Sequence, residues 1–469
     1  MFILNLSRSR KTEGTLVDQL VSSIARQLEQ GRHPAGTALP SVRNLAKLHK
    51  LSTFTVAEAY QRLVSRGLII SRAGADYQVA TRSADLPSAP VWNTPSLNAG
   101  WLLSDVFADR SVPIKAGCGW IPNDWIDESG MQHALRSLSR VPSSRLGGYG
   151  HPYGLASLRE YISASLRRYS LSVDASNILL TQGVTQALDL VVRTLLRPGD
   201  TVVVEDPCYC NLLQILKLAN VNIVSVPRTS EGIDLEKLEC VVRERNPKAV
   251  FINTVLQNPS GASLNLPSAF RLLQLADRHG LWIVEDDISR ELAPSGAPCL
   301  AAMEGLKNVI YLSGFSKTIT PAVRVGYIAA DRALLAQLAL TKMAVGLTSS
   351  EVTERTVANV LIDGHYDRHV TYIRERLLKA RRSVAQSMSD SGMDIFHRPD
   401  AGLFLWAKLR TTSEDSLAVS TKALARGIWL APGSYFRAGE PKSEWFRFNA
   451  ATSDVPELWD FVRSLRTNR

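Results

Sequence analysis

The chain has 469 residues, of which 45% are hydrophobic, 21% charged and 7% aromatic. This composition is typical of globular proteins and excludes a mainly disordered or fibrous chain, while the length predicts about two or three domains. The net charge of +10 is unevenly placed. Residues 1–82 hold 12 Lys and Arg against 5 Asp and Glu, whereas the remainder holds 42 against 39. A basic head on a near-neutral body indicates a polyanionic partner such as nucleic acid, or a merely solvated surface.

No stretch approaches the roughly 18 consecutive apolar residues of a membrane helix, and the short apolar start does not have the pattern of a secretory signal. The five cysteines are scattered and contain no Cys-x-x-Cys pair, which predicts neither a disulfide framework nor a zinc site. They are Cys118, Cys208, Cys210, Cys240 and Cys299. We therefore expect a cytoplasmic protein without a metal site.

Three amphipathic helices and a hairpin are predicted in the head, which we place at residues 12–81. Apolar residues recur at helical spacing, and Ser41 and Ser52 are placed to cap the second and third helices. Gly67 predicts the end of the third helix, and two β-like runs around Gly74 indicate a hairpin. The predicted inward faces are Leu16, Leu20, Ile24 and Leu28, then Val42, Leu45, Ala46 and Leu48, then Val56, Ala59, Tyr60 and Leu63.

This order of elements is that of a winged helix-turn-helix, which places the start of its third helix in the DNA major groove. Ser52, Thr53 and Thr55 would present hydroxyl groups there. Arg43 lies two residues after Ser41, at the start of the second helix, where its cation can bind a phosphate. We therefore take these five residues as the candidate DNA contacts, with a small protein-binding domain as the alternative.

Residues 82–112 form the predicted linker. Its first half is dominated by Pro, Ser and Ala without an apolar period, which is typical of a semi-rigid tether between domains.

The body, residues 113–469, alternates strand-like and helical runs. The strand-like runs include TVVVED, AVFINTV, LWIVEDD, NVIYLSG and RVGYIAA. Such alternation predicts an α/β domain with a mainly parallel sheet covered by helices on both faces. In proteins with this architecture, ligands bind just beyond the carboxyl ends of the strands.

Five short motifs follow these strands, each weak on its own. TQGVTQAL opens a helix whose amides can bind an anion, and YLSGFSK contains a single lysine that a solvated surface would also explain. WIVEDD ends with two carboxylates that suit a metal or a cationic ring. EDPCYC supplies an aromatic residue, and LQNPSG supplies an asparagine before a turn.

Taken together, the order and spacing of these motifs resemble the aspartate aminotransferase family, the fold-type I enzymes dependent on pyridoxal 5'-phosphate. The head string LPSVRNLAKLHKLSTFTVAEAYQRLVSRGLI resembles the GntR-type winged helix. The combination resembles the MocR group of GntR regulators, in which an aminotransferase-like domain senses a cofactor or an amine. The resemblance thus implies a DNA-binding regulator, and a homodimer, because fold-type I sites are built at a dimer interface.

The resemblance also implies a role for each site residue. Lys317 would form the internal aldimine, a Schiff base with the cofactor aldehyde, and Asp286 would pair with the pyridine nitrogen. The other cofactor contacts would be Tyr209 stacking on the ring, Asn258 on its phenolic oxygen, Tyr149 reaching the phosphate across the dimer, and Val184, Thr185 and Arg324 holding that phosphate. Arg447 would grip the carboxylate of an amino acid effector.

Two positions depart from the family pattern. Ser289 stands where relatives have a tyrosine that contacts the cofactor, and Gly314 stands where many have a serine or threonine that contacts phosphate. The loss of these contacts should weaken cofactor binding without abolishing it, and it raises doubt about efficient transamination.

Two functions remain open at this stage. The first is a transcription regulator whose second domain senses a ligand. The second is a working aminotransferase with an appended head. Transamination does not require a basic winged-helix domain, so the presence of this pattern favours the transcription regulator. The effector, the operator sequence and the direction of regulation are not predicted.

Overall fold

The computed structural model describes residues 15–29, 33–72, 76–80, 112–410, 414–439 and 442–465. The chain divides into two compact units, Met1–Thr94 and Pro95–Arg469. The predicted turn at Gly74 and, except for Val112, the predicted linker at residues 82–112 lie outside the described residues.

The described residues of the first unit form three helices and a hairpin, as the sequence predicts. They are α1 (Leu16–Glu29), α2 (Val42–His49), α3 (Thr53–Ser65), β1 (Ile69–Arg72) and β2 (Asp76–Val79). The Ser41 hydroxyl caps α2 by accepting a hydrogen bond from the Asn44 N–H at 3.3 Å, and Ser52 caps α3 through the Thr55 N–H at 3.0 Å. Gly67 has φ +66° directly after α3, which confirms the predicted helix end.

The inward faces of the three helices meet in one apolar core. Its buried members include Leu20, Ile24, Leu28, Leu45, Ala46, Val56, Ala59, Tyr60 and Leu63. The prediction for Leu48 is wrong, since its side chain is 52% exposed. The inward face of α2 centres on Leu45 and Ala46, and two further positions along a helix rotate the side chain by about 200°, to the outward face.

Residues 36–39 add a short third segment to the hairpin. The Gly36 N–H donates to the Val79 carbonyl at 2.9 Å, and the Leu39 N–H donates to the Tyr77 carbonyl at 2.7 Å. The sequence predicts only a chain break here, because the segment is too short to carry an alternating pattern.

An eight-stranded sheet organises the second unit. Its strands are β3 (Ile178–Thr181), β4 (Thr201–Asp206), β5 (Asn222–Thr229), β6 (Gly232–Ile233), β7 (Ala249–Ile252), β8 (Trp282–Asp286), β9 (Val309–Gly314) and β10 (Gly326–Ala329). Their spatial order is β3-β10-β9-β8-β7-β4-β5-β6. Five central strands run parallel, and β10 is antiparallel to both β9 and β3, so β3 points the same way as the parallel set. The mainly parallel sheet is therefore confirmed.

Helices cover both faces of this sheet. The described helices of the second unit are α4 (Glu128–Leu138), α5 (Ser143–Leu146), α6 (Ala156–Leu166), α7 (Gly183–Leu195), α8 (Cys210–Leu218), α9 (Leu235–Arg245), α10 (Leu266–His279), α11 (Leu300–Glu304), α12 (Arg332–Gly346), α13 (Glu351–Ile362), α14 (His365–Asp390), α15 (Ser416–Leu424) and α16 (Pro456–Ser464). Alternate strand residues face opposite sides. Val203 packs in the cluster of α6, α9 and α10, whereas Val202 and Val204 pack in the cluster of α7, α8 and α12.

A second, antiparallel sheet follows near the C-terminus. Its strands are β11 (Met393–Ile395), β12 (Phe404–Leu409), β13 (Ala431–Pro432) and β14 (Trp445–Asn449), in the order β11-β12-β14-β13. Helices α14, α15 and α16 share its apolar core.

In the part of the chain that the structure describes, no helix combines the length and the apolar composition that a membrane crossing requires. All five cysteines are free thiols, and of these Cys240 alone is exposed.

Candidate functional site

The motifs predicted for the body meet at one edge of the large sheet. Strands β3, β4, β7, β8 and β9 share one direction, and each of the five motifs lies at or just beyond the carboxyl end of one of them. Arg324 belongs to the same edge, because it lies two residues before β10, which runs the opposite way. The sheet topology therefore collects residues that are far apart in the sequence.

The start of α7 has the geometry of an anion-binding turn. Val184 and Thr185 lie in its first turn, where backbone N–H groups have no acceptor within the helix. Gly326 packs directly beneath, since a Cβ there would lie 2.9 Å from the Val184 nitrogen. Arg324, in the left-handed region at φ 47°, donates from Nη2 to the Gln182 carbonyl at 3.2 Å and so brings a cation to the same turn.

Lys317 lies three residues beyond β9 and is half-buried. Its Nζ donates a hydrogen bond to the Gly119 carbonyl and lies 5.9 Å from the centre of the Phe404 ring. The amine is therefore held in an enclosed position next to an aromatic ring, whereas a surface lysine would be surrounded by water.

Asp286 is the buried carboxylate at the end of β8. Its Oδ1 accepts from the Ile288 N–H at 3.2 Å, and its main-chain carbonyl accepts from Asn253 Nδ2 at 2.9 Å. Burial raises the pKa of Asp286 to about 6, the charge of Asp287 adds to this rise, and the Lys317 ammonium opposes it. A cationic ligand beside this carboxylate would favour its ionised form.

The neighbouring Asp287 faces a different partner. Its Oδ2 accepts from Arg290 Nε at 2.5 Å, and Arg290 also donates to the carbonyls of Ala297 and Pro298, at 3.0 and 2.7 Å. Both side chains are buried, so this pair is part of the core. Of the two carboxylates, Asp287 is thus held in the core by Arg290, and Asp286 is the one whose pKa is influenced by Lys317.

Arg447 and Asn258 lie in direct contact. Arg447 is buried in β14 and donates from Nη1 to Asn258 Oδ1 at 3.0 Å and from Nη2 to the Gly117 carbonyl at 2.7 Å. Its guanidinium carbon lies 4.8 Å from the ring centres of both Phe404 and Phe436. The fork of N–H donors is thus fixed in a low-dielectric setting suited to a carboxylate.

Tyr209 is the N-cap residue of α8 and is half-buried between two apolar clusters. The loop before it is fixed to the C-terminal segment, because the Cys208 N–H donates to the Phe436 carbonyl at 2.9 Å and Arg437 pairs with Asp206 at 2.9 Å. The aromatic side chain is therefore held at the sheet edge by contacts on both sides.

Tyr149 is not brought together with these residues in the single chain, where its side chain is 85% exposed.

The two departures from the family pattern differ in kind. Ser289 precedes a single turn that carries Arg290, and nothing in the structure explains its replacement of tyrosine. At Gly314 a Cβ would meet the Val325 carbonyl at 2.9 Å, so the backbone packing requires glycine there.

The five candidate DNA-contacting residues lie at the starts of α2 and α3, where the predicted helix boundaries place them. Arg43 and Thr53 are exposed on α2 and α3, and Ser41 caps α2. The hydroxyls of Ser52 and Thr55, however, hydrogen-bond to each other at 2.7 Å within the cap of α3. One of the two hydroxyl protons is consequently used inside the protein.

Asp286→Asn is expected to raise the free energy of unfolding of the ligand-free protein at about pH 8. A buried acid whose pKa rises from 3.8 to about 6 destabilises the native state when ionised, by up to roughly 3 kcal/mol. The gain should shrink as the pH falls through 6, because the native carboxylate then takes up its proton. Thermal unfolding across this pH range measures the effect.

Asp287→Asn is the matched control for that experiment. It removes the carboxylate that accepts from Arg290 Nε and leaves this buried guanidinium with the more distant carboxylate of Glu285, 3.9 Å away, so it should destabilise the protein at every pH tested. If both variants lose stability equally at high pH, then the two carboxylates do not differ as described.

Four further residues of the site were missed by the sequence reasoning. Gly326 could have been found from the GY pair that follows Arg324, since a glycine at a strand start indicates close backbone approach. Gly119, Asn253 and Phe404 carry no local signal, because they join the site only through tertiary contacts with Lys317, Asp286 and Arg447.

Two family models match the chain. The model described as "Aminotransferase class I and II" matches residues 126–465, and "Bacterial regulatory proteins, gntR family" matches residues 16–78. The two matches therefore fall one in each compact unit.

Full-length relatives combine the same two parts of the chain. The uncharacterized HTH-type transcriptional regulator YdcR of Escherichia coli (strain K12) is 30% identical over 446 residues, 92% of this chain and 94% of the relative. The probable rhizopine catabolism regulatory protein MocR of Rhizobium meliloti is 27% identical, over 96% of this chain and 92% of its own.

Among solved structures, the α-aminoadipate aminotransferase LysN of Thermus thermophilus, complexed with N-(5'-phosphopyridoxyl)-L-leucine, superposes with a TM-score of 0.69. It is 26% identical, and the match covers 75% of this chain and 91% of that one. The second unit therefore has the fold of that enzyme.

Proposed function

Because the chain belongs to the MocR group of GntR-family transcription regulators, we propose that it binds promoter DNA and adjusts that binding when its second unit takes up a ligand. We assign DNA binding to residues 12–81, tethering to residues 82–112 and ligand sensing to residues 113–469. A DNA-binding regulator of this kind works in the cytoplasm.

Pyridoxal 5'-phosphate is the cofactor of the aminotransferase fold family, and the residues present fit it. The amides of Val184 and Thr185 together with Arg324 suit its phosphate. A buried Asp286 whose pKa is raised by burial suits a protonated ring nitrogen, whose charge would return the carboxylate to its ionised form. The enclosed Lys317 amine suits its aldehyde.

When bound, the cofactor supplies a reactive aldehyde and an electron-withdrawing ring. In this proposal Lys317 would hold it through its amine, Tyr209 would stack on its ring, and Asn258 would hydrogen-bond to its phenolic oxygen. Arg447 would hold the carboxylate of an amino acid effector through its paired N–H donors. An effector of this class would compete with Asn258 and Gly117, the acceptors that Arg447 contacts.

The observation that carries the sensing proposal is the position of residues 112–121. This segment directly follows the proposed tether, and two of its carbonyls accept hydrogen bonds from the chemistry-bearing side chains. Lys317 donates to Gly119, and Arg447 donates to Gly117. A ligand that takes over either side chain would remove its hydrogen bond to this segment, while the bonds of the segment to Trp429, Asn449 and Thr452 remain. The resulting local shift would be transmitted to the tether.

A homodimer is the second part of the proposal. Exposed apolar side chains cluster at the end of α12 and the start of α13, and a lone monomer rarely exposes such a patch without function. They are Leu340, Met343, Val345, Leu347 and Val352. The loop of the exposed Tyr149 lies beside them, since a Cβ at Gly150 would be 3.1 Å from the Ser349 carbonyl. Pairing through this patch would carry Tyr149 toward the partner's site, and paired heads suit paired DNA half-sites.

Selection of duplexes from a random DNA library by the full chain, with and without pyridoxal 5'-phosphate, tests the proposal. The recovery of a shared sequence, in complexes that weaken steeply as salt rises, is expected. Recovery of unrelated sequences would favour the alternative, an active aminotransferase with an appended head.

Arg43→Ala is expected to weaken binding of the selected duplex uniformly across sequence variants and to reduce the salt slope by about 1. The exposed guanidinium at the start of α2 is placed to neutralise one phosphate. Binding titrations at several salt concentrations measure the slope. Lys217→Ala removes the same charge from an exposed site in the second unit and should change neither quantity. Equal effects of the two variants would contradict the assignment of Arg43.

A further inference from the structure

Phe54 is an exposed aromatic side chain in the first turn of α3. It is 77% exposed, whereas the other aromatic side chain of the helix, Tyr60, is fully buried and donates from its hydroxyl to the Pro40 carbonyl at 2.9 Å. The exposure of Phe54 is not caused by a poorly packed helix. The inward face of α3 is fully used, since it buries Val56, Ala59, Tyr60 and Leu63. Phe54 adds nothing to the packing of the unit.

Some of the polar groups around Phe54 are already hydrogen-bonded within the protein. Ser52 accepts from the Thr55 N–H, and the hydroxyls of Ser52 and Thr55 bond to each other. The start of α3 consequently presents Thr53 and the ring of Phe54 to its surroundings, with fewer hydrogen-bond donors than the sequence suggests. An apolar ring is stabilised most when it is buried against an apolar feature of a DNA groove.

The charges near this end of α3 favour a polyanion. Arg43, Lys47 and Lys50 recur at helical spacing along the exposed side of α2 and its C-terminal cap. Two carboxylates of this unit, Asp18 and Glu58, both pair with Arg62 at 3.0 Å. The exposed side of α2, which precedes Phe54 in the chain, is thus basic. A basic surface favours contact with the phosphates of the DNA backbone.

We propose that Phe54 is a specificity-determining residue that packs against the C5 methyl group of a thymine in the major groove. The inference rests on the proposed DNA binding and adds the base that is read. The methyl group is the one apolar feature that distinguishes a base pair in the major groove, and phenylalanine is among the side chains that contact it. Burying one methyl-sized group predicts a discrimination of about fourfold in each half-site.

Uracil substitution tests this contact directly. The probe is the duplex that the full chain selects from a random library, with each thymine replaced in turn by uracil. This change removes the methyl group and leaves base pairing intact. The unaltered protein should lose about fourfold in affinity at one thymine of each half-site. Phe54→Ala should bind the original duplex more weakly and be insensitive to uracil at that position.

Leu48→Ala is the matched control, because Leu48 is an exposed apolar side chain on the neighbouring helix. It should keep the uracil sensitivity of the unaltered protein, and thermal unfolding should be unchanged in both variants. The proposal is overturned if Phe54→Ala retains the same uracil sensitivity, or if the unaltered protein is insensitive at every thymine. Failure to select any duplex would instead overturn the DNA-binding function itself.

Discussion

Lys317→Ala is expected to abolish the visible absorption band that the full chain acquires with pyridoxal 5'-phosphate. The half-buried amine, fixed against Gly119 and beside Phe404, is the nucleophile that the site offers to an aldehyde. Its removal eliminates covalent attachment. Contacts to phosphate and ring would still allow weak, noncovalent binding. Absorption spectra and the protein mass after borohydride reduction measure the loss.

Lys307→Ala is the control for this experiment, since Lys307 is an exposed lysine paired with Asp277. It should show the same band and the same added mass as the unaltered chain. If Lys317→Ala also keeps the added mass, another lysine carries the cofactor and the site described here is wrong.

Gly326→Ala is expected to weaken cofactor binding, and its overpacking should also lower the free energy of unfolding, measured by thermal unfolding, by about 1–3 kcal/mol. The new methyl group would lie 2.7 Å from the Gly183 carbonyl carbon and 2.9 Å from the Val184 nitrogen. Both are backbone atoms that cannot turn away, so the turn that holds the phosphate must shift. Titration of the cofactor absorption band measures the affinity.

Gly439→Ala is the matched control, because a Cβ at that position has no neighbour within 4 Å. Its cofactor affinity should remain unchanged. Equal affinities of the two variants would mean that the start of α7 does not hold the phosphate.

Elements with a strong local pattern could be predicted from the sequence. The third helix of the head is an example, since its inward residues and its Ser52 cap both depend on contacts within a few positions. The strand ends of the body were found for the same reason, because short apolar runs before EDD or SGFSK mark buried parallel strands.

Features set by long-range packing could not be predicted. The pairing of residues 36–39 with β2 depends on the completed hairpin. The family resemblance singles out Asp286 of the two adjacent carboxylates, but the pairing of Asp287 with Arg290 in the core carries no signal in the sequence. Likewise, the contacts of Arg447 with Gly117 and Asn258 join segments that lie far apart in the chain.

The central claim is that ligand uptake in the second unit changes DNA binding by the first. The direct measurement is the affinity of the full chain for its selected duplex, with and without saturating pyridoxal 5'-phosphate, at fixed salt. We expect the two affinities to differ by about 5-fold or more in the unaltered chain, and to be equal in Lys317→Ala. Equal affinities in the unaltered chain, with the absorption band confirming that the cofactor is bound, would contradict the account.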